Sequence, residues 1–240
     1  MKRWALYVDI EGFSRIYLGN EVRALSLLGA LMEAIYRIAS FACPDDFNRV
    51  FVHQTGDGFV IVSGSPSHDT ATPFAIAVLL MRCVLVAGGV AKCGLSEGNF
   101  ADIKGCYPEI IRSNIQNGGV LPLGSGLMRV FPVMGCALVR AHQLTTKLKG
   151  ALLLVDPEMA KHLPSSVGIT KSEQEYVVAD WIHGDSREIT EITAKSGVDL
   201  PSVQSLKGLL QDYVSTNCDV VSAKWKANTL TLNGCRDEAK

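Results

Sequence analysis

The stretch from Arg49 to Val62 has little choice of local structure. Two apolar, β-branched runs, Arg49-Val50-Phe51-Val52-His53 and Phe59-Val60-Ile61-Val62, flank Gly56-Asp57-Gly58. Asp-Gly between such runs is the strongest short hairpin signal a sequence carries. Taken alone, Asp57 is therefore a turn residue. At the start of the chain Trp4, Leu6, Val8 and Ile10 alternate with Ala5, Tyr7 and Asp9, the period of a half-buried strand, so Asp9 points away from the main core face. After Gly12-Phe13-Ser14 the apolar positions become Val22, Leu25, Leu28, Leu31, Met32, Ile35 and Ile38, spaced by three and four as in an amphipathic helix. A strand, a glycine turn and a helix start thus follow in order, and the backbone N–H groups of such a turn suit phosphate oxygens. Each aspartate stands where an apolar run yields to glycine, at the mouth of a sheet. Two such carboxylates form a candidate clamp for divalent metal.

The remaining periodicity predicts a first helix over 16 to 41, a hairpin over 48 to 63, a helix over about 72 to 87 and a strand over about 89 to 96. A strand over 126 to 134, a helix over 135 to 148 and a buried strand, Ala151-Leu152-Leu153-Leu154-Val155, follow. Two late strands are expected at about 175 to 182 and 187 to 192, while the 97 to 125 region is loop-rich. This order predicts an α+β, ferredoxin-like βαββαβ domain over residues 1 to 192, with its helices on one sheet face. Residues 193 to 240 are a C-terminal extension expected to pack on the domain or on a dimer partner. Leu206, Leu209, Leu210, Tyr213 and Val214 predict a helix there over about 202 to 216, and Thr229-Leu230-Thr231-Leu232 a late strand. Ser63 to His68 reads as a linker, and Arg236 to Lys240 as a fraying end.

A net charge of −1 over 240 residues gives no electrostatic case for nucleic acid as the main partner. No apolar run approaches the roughly 20 residues of a membrane span, and the first residues lead into a strand without a cleavage-site pattern, so the expectation is a cytoplasmic protein without a membrane partner. Seven cysteines with no Cys-x-x-Cys pair read as buried thiols of a reducing compartment, with neither zinc nor a disulfide framework.

The order of Asp9-Ile10-Glu11-Gly12-Phe13-Ser14 and Gly56-Asp57-Gly58 resembles the class III nucleotidyl cyclases, the adenylate and guanylate cyclase superfamily. Cys93-Gly94-Leu95-Ser96-Glu97-Gly98 looks like that family's fourth-strand segment, and Val133 to Leu144 like its strand-to-helix segment. The resemblance covers about residues 1 to 192. It implies a class III cyclase domain in which Asp9, Asp57 and the backbone carbonyl of Ile10 hold two Mn²⁺ or Mg²⁺ ions per site. It also implies that the amides of Glu11 to Ser14, Gly12 and Phe13 among them, receive a triphosphate, with Ser14 a candidate N-cap. The family's sites are shared head-to-tail across a two-fold interface, which implies a homodimer.

Several family positions depart from the pattern. His53 replaces the base-reading lysine, and Pro132 stands at the second base-reading position. Val139 and Gln143 replace the asparagine and arginine that hold the ribose and the transition-state phosphate, and Trp181-Ile182-His183-Gly184 stands where many members have a triphosphate-gripping Lys-Gly. Retained aspartates beside a rebuilt base pocket are similar to the bacterial antiphage Pycsar pyrimidine cyclases. That likeness implies conversion of UTP to 3′,5′-cyclic UMP, with CTP to cyclic CMP second, and a separately encoded cyclic-nucleotide-responsive effector downstream. His53 and Arg129 can donate to base carbonyls, and Phe131 is a further candidate for that pocket. Arg140, about one helical turn before Gln143, is the candidate substitute for the missing arginine, ahead of Arg112 and Lys92. The blander roles are a hydrogen-bonded core histidine for His53 and His183 and a solvated helix face for Arg140. A purine nucleotide cyclase, a nucleotide-binding pseudoenzyme and a structural ferredoxin-like domain are the alternatives.

Overall fold

The computed structural model describes residues 2–43, 49–64, 69–102, 106–130, 133–217 and 221–235. Its elements run β1 (Lys2–Ile10), α1 (Phe13–Gly19), α2 (Glu21–Ala42), β2 (Val50–Thr55), β3 (Gly58–Ser63), α3 (Ala71–Val86), β4 (Ala91–Asp102) and α4 (Glu109–Asn114). They continue with β5 (Val120–Leu123), β6 (Gly126–Arg129), β7 (Val133–Gly135), α5 (Cys136–Lys147), β8 (Leu153–Val155) and α6 (Pro157–Ala160). Last come β9 (Ile169–Ser172), β10 (Val177–Ala179), α7 (Arg187–Ser196), α8 (Val203–Thr216) and α9 (Ala223–Leu232). The main sheet has the order β2-β3-β1-β4-β8-β10-β9, with β7 pairing the far end of β4, and β5-β6 form a separate two-stranded ribbon. The β4–β8 pair is parallel and its neighbours are antiparallel, giving the α+β order expected.

Alternation along β1 divides the interior. Trp4, Leu6, Val8 and Ile10 join Phe59 and Ile61 in the larger core under α2 and α3, while Ala5, Val60 and Val62 face Ala137 and Ala141 of α5. The expectation of helices on one sheet face is therefore corrected, because α5 lies on the opposite face. It approaches so closely that a Cβ on Gly94 of β4 would meet the Ala141 carbonyl at 2.0 Å. On the larger side α3 is buried around its whole circumference from Phe74 to Met81, since α2, α7 and α8 pack around it. That explains an apolar helix with no polar face.

Four expectations change on local grounds. The first helix is two, broken at Asn20, whose extended backbone ends α1 and whose side chain accepts the Arg23 N–H to start α2. Residues 187 to 192 belong to α7, not to a strand: Ser186 caps the Ile189 N–H, Arg187 pairs with Glu191 one turn on, and Ile189 and Ile192 share the buried side. Thr229 to Leu232 belong to α9, where Ser222 caps the Trp225 N–H and Trp225 and Thr229 are the buried pair. In both places β-branched residues imitate a strand, and a serine cap decides for helix. The strand expected over 126 to 134 is divided between β6 and β7, with Phe131 and Pro132 outside the described residues. Residues 65 to 68 of the expected linker, Cys218 and the last five residues also lie outside them.

Two surface expectations change as well. Glu21–Phe41 is long and apolar enough to cross a membrane by length and composition. Its Ala24, Leu27, Leu31, Ile35 and Ile38 nevertheless fill the core while Val22, Leu25, Met32 and Tyr36 face outward. Six cysteines among the described residues are free thiols, and Cys106 and Cys136 are exposed rather than buried.

The segment that closes the core depends on Arg82 of α3, which is only 6% exposed. Its guanidinium donates to the carbonyls of Trp181 (3.0 Å), Ile182 (3.0 Å) and Gly184 (2.6 Å). Asp180 holds the same turn by accepting the N–H groups of Ile182 and His183. A buried charge is tolerable only when its donors are matched in this way. Arg82→Met is expected to strand three carbonyls and destabilise the fold by about 3 kcal/mol or more. Urea unfolding monitored by tryptophan fluorescence checks this, and a loss below about 1 kcal/mol would remove the clamp from the stability account.

Candidate active site

The register of β1 brings the two sequence-predicted aspartates together. Asp9 lies opposite Gly58 of β3 on one side and Lys92 of β4 on the other, so Asp57, one residue before Gly58, sits at the same end of the sheet. Gly56 supplies the positive φ of the hairpin tip (69°), a conformation glycine adopts without steric cost. Gly58 is required for space: a Cβ there would lie 2.7 Å from Tyr7 Oη and 3.0 Å from the Val8 carbonyl. Tyr7 thus packs under the tip, hydrogen-bonded to Thr55 and edge-on to His142 of α5 at 4.9 Å.

Burial, then the charges of Asp57 and Glu11, push the Asp9 carboxyl up to about 7, against the pull of Lys92 and the Ile10 N–H. Burial and the same aspartates raise the Tyr7 phenol. Excess negative potential on carboxylates at one sheet end is what a divalent cation would relieve. The side-chain donors are both carboxylate oxygens, whose chemistry suits Mg²⁺ or Mn²⁺. Among the described residues no group of three or more His, Cys, Asp and Glu side chains is arranged to hold a metal.

The turn after Asp9 differs from expectation in its cap. Gly12, in the left-handed region at φ 74°, takes the cap position of α1 without a side-chain cap bond, and Ser14 falls inside the first turn. Phe13 packs against the core edge and leans on Tyr17 at 6.0 Å. With seven residues, α1 is a weak dipole. Sequence reasoning missed the partners of Glu11. Lys92 pairs with it at 3.1 Å, and Trp225 of α9 donates its indole N–H to it at 2.7 Å. A lone tryptophan between Lys224 and Lys226 was the signal available for that contact.

His53 and Arg129 line one cavity of about 720 Å³ with Val52, Gln54, Gln116 and Asn117, between β2 and the β5–β6 ribbon. Gln54 also donates to the Gly56 carbonyl at 2.9 Å, linking this wall to the hairpin tip. Burial lowers the His53 imidazole below its ordinary value, which favours the neutral ring with one donor and one acceptor. Arg140 and Gln143 lie on the exposed side of α5 with Val139, and Arg140 lines neither this cavity nor the one beside Glu11. Arg112, on α4, is exposed. Trp181 and Ile182 are fully buried, and the His183 ring is held by Asp180 at 2.8 Å, which makes that segment a brace.

No protein-family model and no curated protein matches the chain. Solved structures do. The adenylyl cyclase CyaB from P. aeruginosa is 12% identical over 78% of this chain and 96% of its own, with a TM-score of 0.51. A class III adenylyl cyclase-like ATP-binding protein from Pseudomonas aeruginosa is 13% identical over 80% of this chain and 40% of its own, also at 0.51. At this identity the likeness concerns fold, and the fold is that of class III cyclase domains.

A carboxyl whose folded pKa is raised binds its proton more tightly in the folded state. Its contribution is complete below the ordinary carboxylate range and lost as pH rises through about 7. Asp9→Asn, measured in EDTA, should raise Tm relative to the parent at pH 8, by an amount that shrinks as pH falls to 5. An equal Tm difference at both pH values would show that the Asp9 charge carries no strain.

Proposed function

We propose that this chain is a nucleotide cyclase acting on pyrimidine nucleotides, UTP to 3′,5′-cyclic UMP and pyrophosphate first, CTP to cyclic CMP second. The observation that carries the cyclase reading is the meeting of Asp9 and Asp57 at one sheet end through the β1–β3 register. Support for a rebuilt base pocket comes from His53 and Arg129 on one cavity wall, where both can donate to pyrimidine carbonyls.

In the reaction the ribose 3′-oxygen forms a bond to the α-phosphorus as the bond to the bridging oxygen breaks. Pyrophosphate leaves and the 3′-hydroxyl proton passes to solvent. Asp9, Asp57 and the Ile10 carbonyl would hold two Mn²⁺ or Mg²⁺ ions. Bound there, divalent ions supply charge neutralisation at the phosphates and acidify the attacking hydroxyl. Gly12, Phe13 and Ser14 present backbone N–H groups to the triphosphate. Arg140 and the α5 face on which it lies serve the site of a second copy, so that a homodimer contains two shared sites. Protein residues contribute positioning and fixed charge, which supply most of the acceleration in phosphoryl transfer. Through the likeness to the antiphage pyrimidine cyclases, the product is a second messenger for a separately encoded effector.

One observation favours a second reading, nucleotide binding without turnover. The arginine expected on α5 is Gln143, and a structure with this fold is described as an ATP-binding protein.

Purified protein with Mn²⁺ and each of ATP, GTP, CTP and UTP, with products resolved by mass spectrometry, tests both. Cyclic UMP or cyclic CMP should dominate. Asp57→Ala should lower turnover at least about a hundredfold with an unchanged circular dichroism spectrum, and His53→Ala should change nucleotide preference more than metal dependence. Metal-dependent binding with no cyclic product would establish the second reading.

A further inference from the structure

Helix α2 is apolar on two sides. Ala24, Leu27, Leu31, Ala34, Ile35 and Ile38 are buried in the core. Val22, Leu25, Gly29, Met32 and Tyr36 lie on the outward side and are all exposed, Val22 by 79% and Tyr36 by 74%. Their spacing of three, four, three and four residues is the 3.5-residue repeat that keeps one seam turned toward a partner helix along its length. Single apolar residues scattered over a surface need no explanation, but a seam over about four turns of one helix does. The two stripes together give Glu21–Phe41 the composition of a membrane span. Gly29 stands in the middle of the seam, where glycine weakens a helix that alanine would strengthen. A Cβ on it would meet no neighbouring group within 4 Å, so Gly29 leaves a notch between Leu25 and Met32 that admits a side chain from outside.

The edge of the seam says what fits it. Arg23 flanks one end and Glu33 the same edge near the other, both exposed. A lipid surface selects a helix with a cationic polar face, whereas opposite charges at the two ends of one edge suit an antiparallel copy of the same helix. We propose that α2 pairs with α2 of a second copy of this chain, antiparallel about a two-fold axis, with Leu25 of each copy seated at Gly29 of the other. That register sets Val22 against Met32 of the second copy and brings Arg23 alongside its Glu33. The Glu33 carboxylate is held at 2.8 Å by Arg37 of its own helix and has lone pairs left for a second donor. Because α5 lies on the opposite face of the sheet, the contact leaves the face that carries Arg140 open. It stands whether or not the chain turns a nucleotide over.

Sedimentation equilibrium of the full chain tests the pairing. Val22→Glu and Met32→Lys, both at exposed positions, should each halve the mass of the assembly with an unchanged circular dichroism spectrum. A dimer through the α5 face would survive both substitutions, so the halving is read against whatever mass that face sets. Val22→Glu and Met32→Lys combined in one chain should restore the parent mass, because an antiparallel pair sets each new glutamate against a new lysine, while a parallel pair would set like charges together. Equal masses for the parent and both single variants, or a double variant that stays at the lower mass, would overturn the proposal.

Discussion

Everything at the candidate site depends on the register of β1 between β3 and β4. Because side chains alternate along a strand, a slip of one residue would send Asp9 into the core under α3 and bring Val8 to the mouth of the sheet. The slip is prevented from both faces. Leu6, Val8 and Ile10 are inserted in the larger core, Ala5 is covered by α5, and Gly58 leaves room for Tyr7. The energy that fixes the site is thus hydrophobic and steric, although the site itself is polar.

The polar interior follows one rule at two places. Arg82 and Asp180 together satisfy the backbone of the 180–184 turn, so burial there buys rigidity without orphaned groups. At the sheet mouth the rule is broken. Burial, then the charges of Asp57 and Glu11, push Asp9 up to about 7 and outweigh Lys92. Local strain of this kind is concentrated where titratable groups meet at one sheet end.

Much of this was legible in the residues. The alternation of Trp4 to Ile10 and the Gly56-Asp57-Gly58 turn define two strands and a hairpin, since both signals are local and short in range, while the joint use of Asp9 and Asp57 was expected from the order of motifs that resembles the family. His53 and Arg129, each nominated for a base pocket, line the same cavity. The misreadings came where local signals compete. Ile189, Thr190, Ile192 and Thr193 have strand-like side chains, yet caps and i,i+4 pairing made them helix. The placement of α5 opposite the other helices could not be inferred from its own sequence, since Ala137 and Ala141 are small and carry little hydrophobic signal. What covers the Glu11 side of the site was out of reach too, because Trp225 is 214 residues distant in sequence.

That separation gives the molecule an order of assembly. During synthesis the strands that carry Asp9, Asp57 and Lys92 emerge early and can pair, as N-terminal parts generally fold first. The indole that braces Glu11 arrives only with the last helix. A nascent chain therefore passes through a stage in which the sheet is formed while the corner beside Glu11 is open to solvent. The closing of that corner by α9 comes only after every strand of the main sheet has been made.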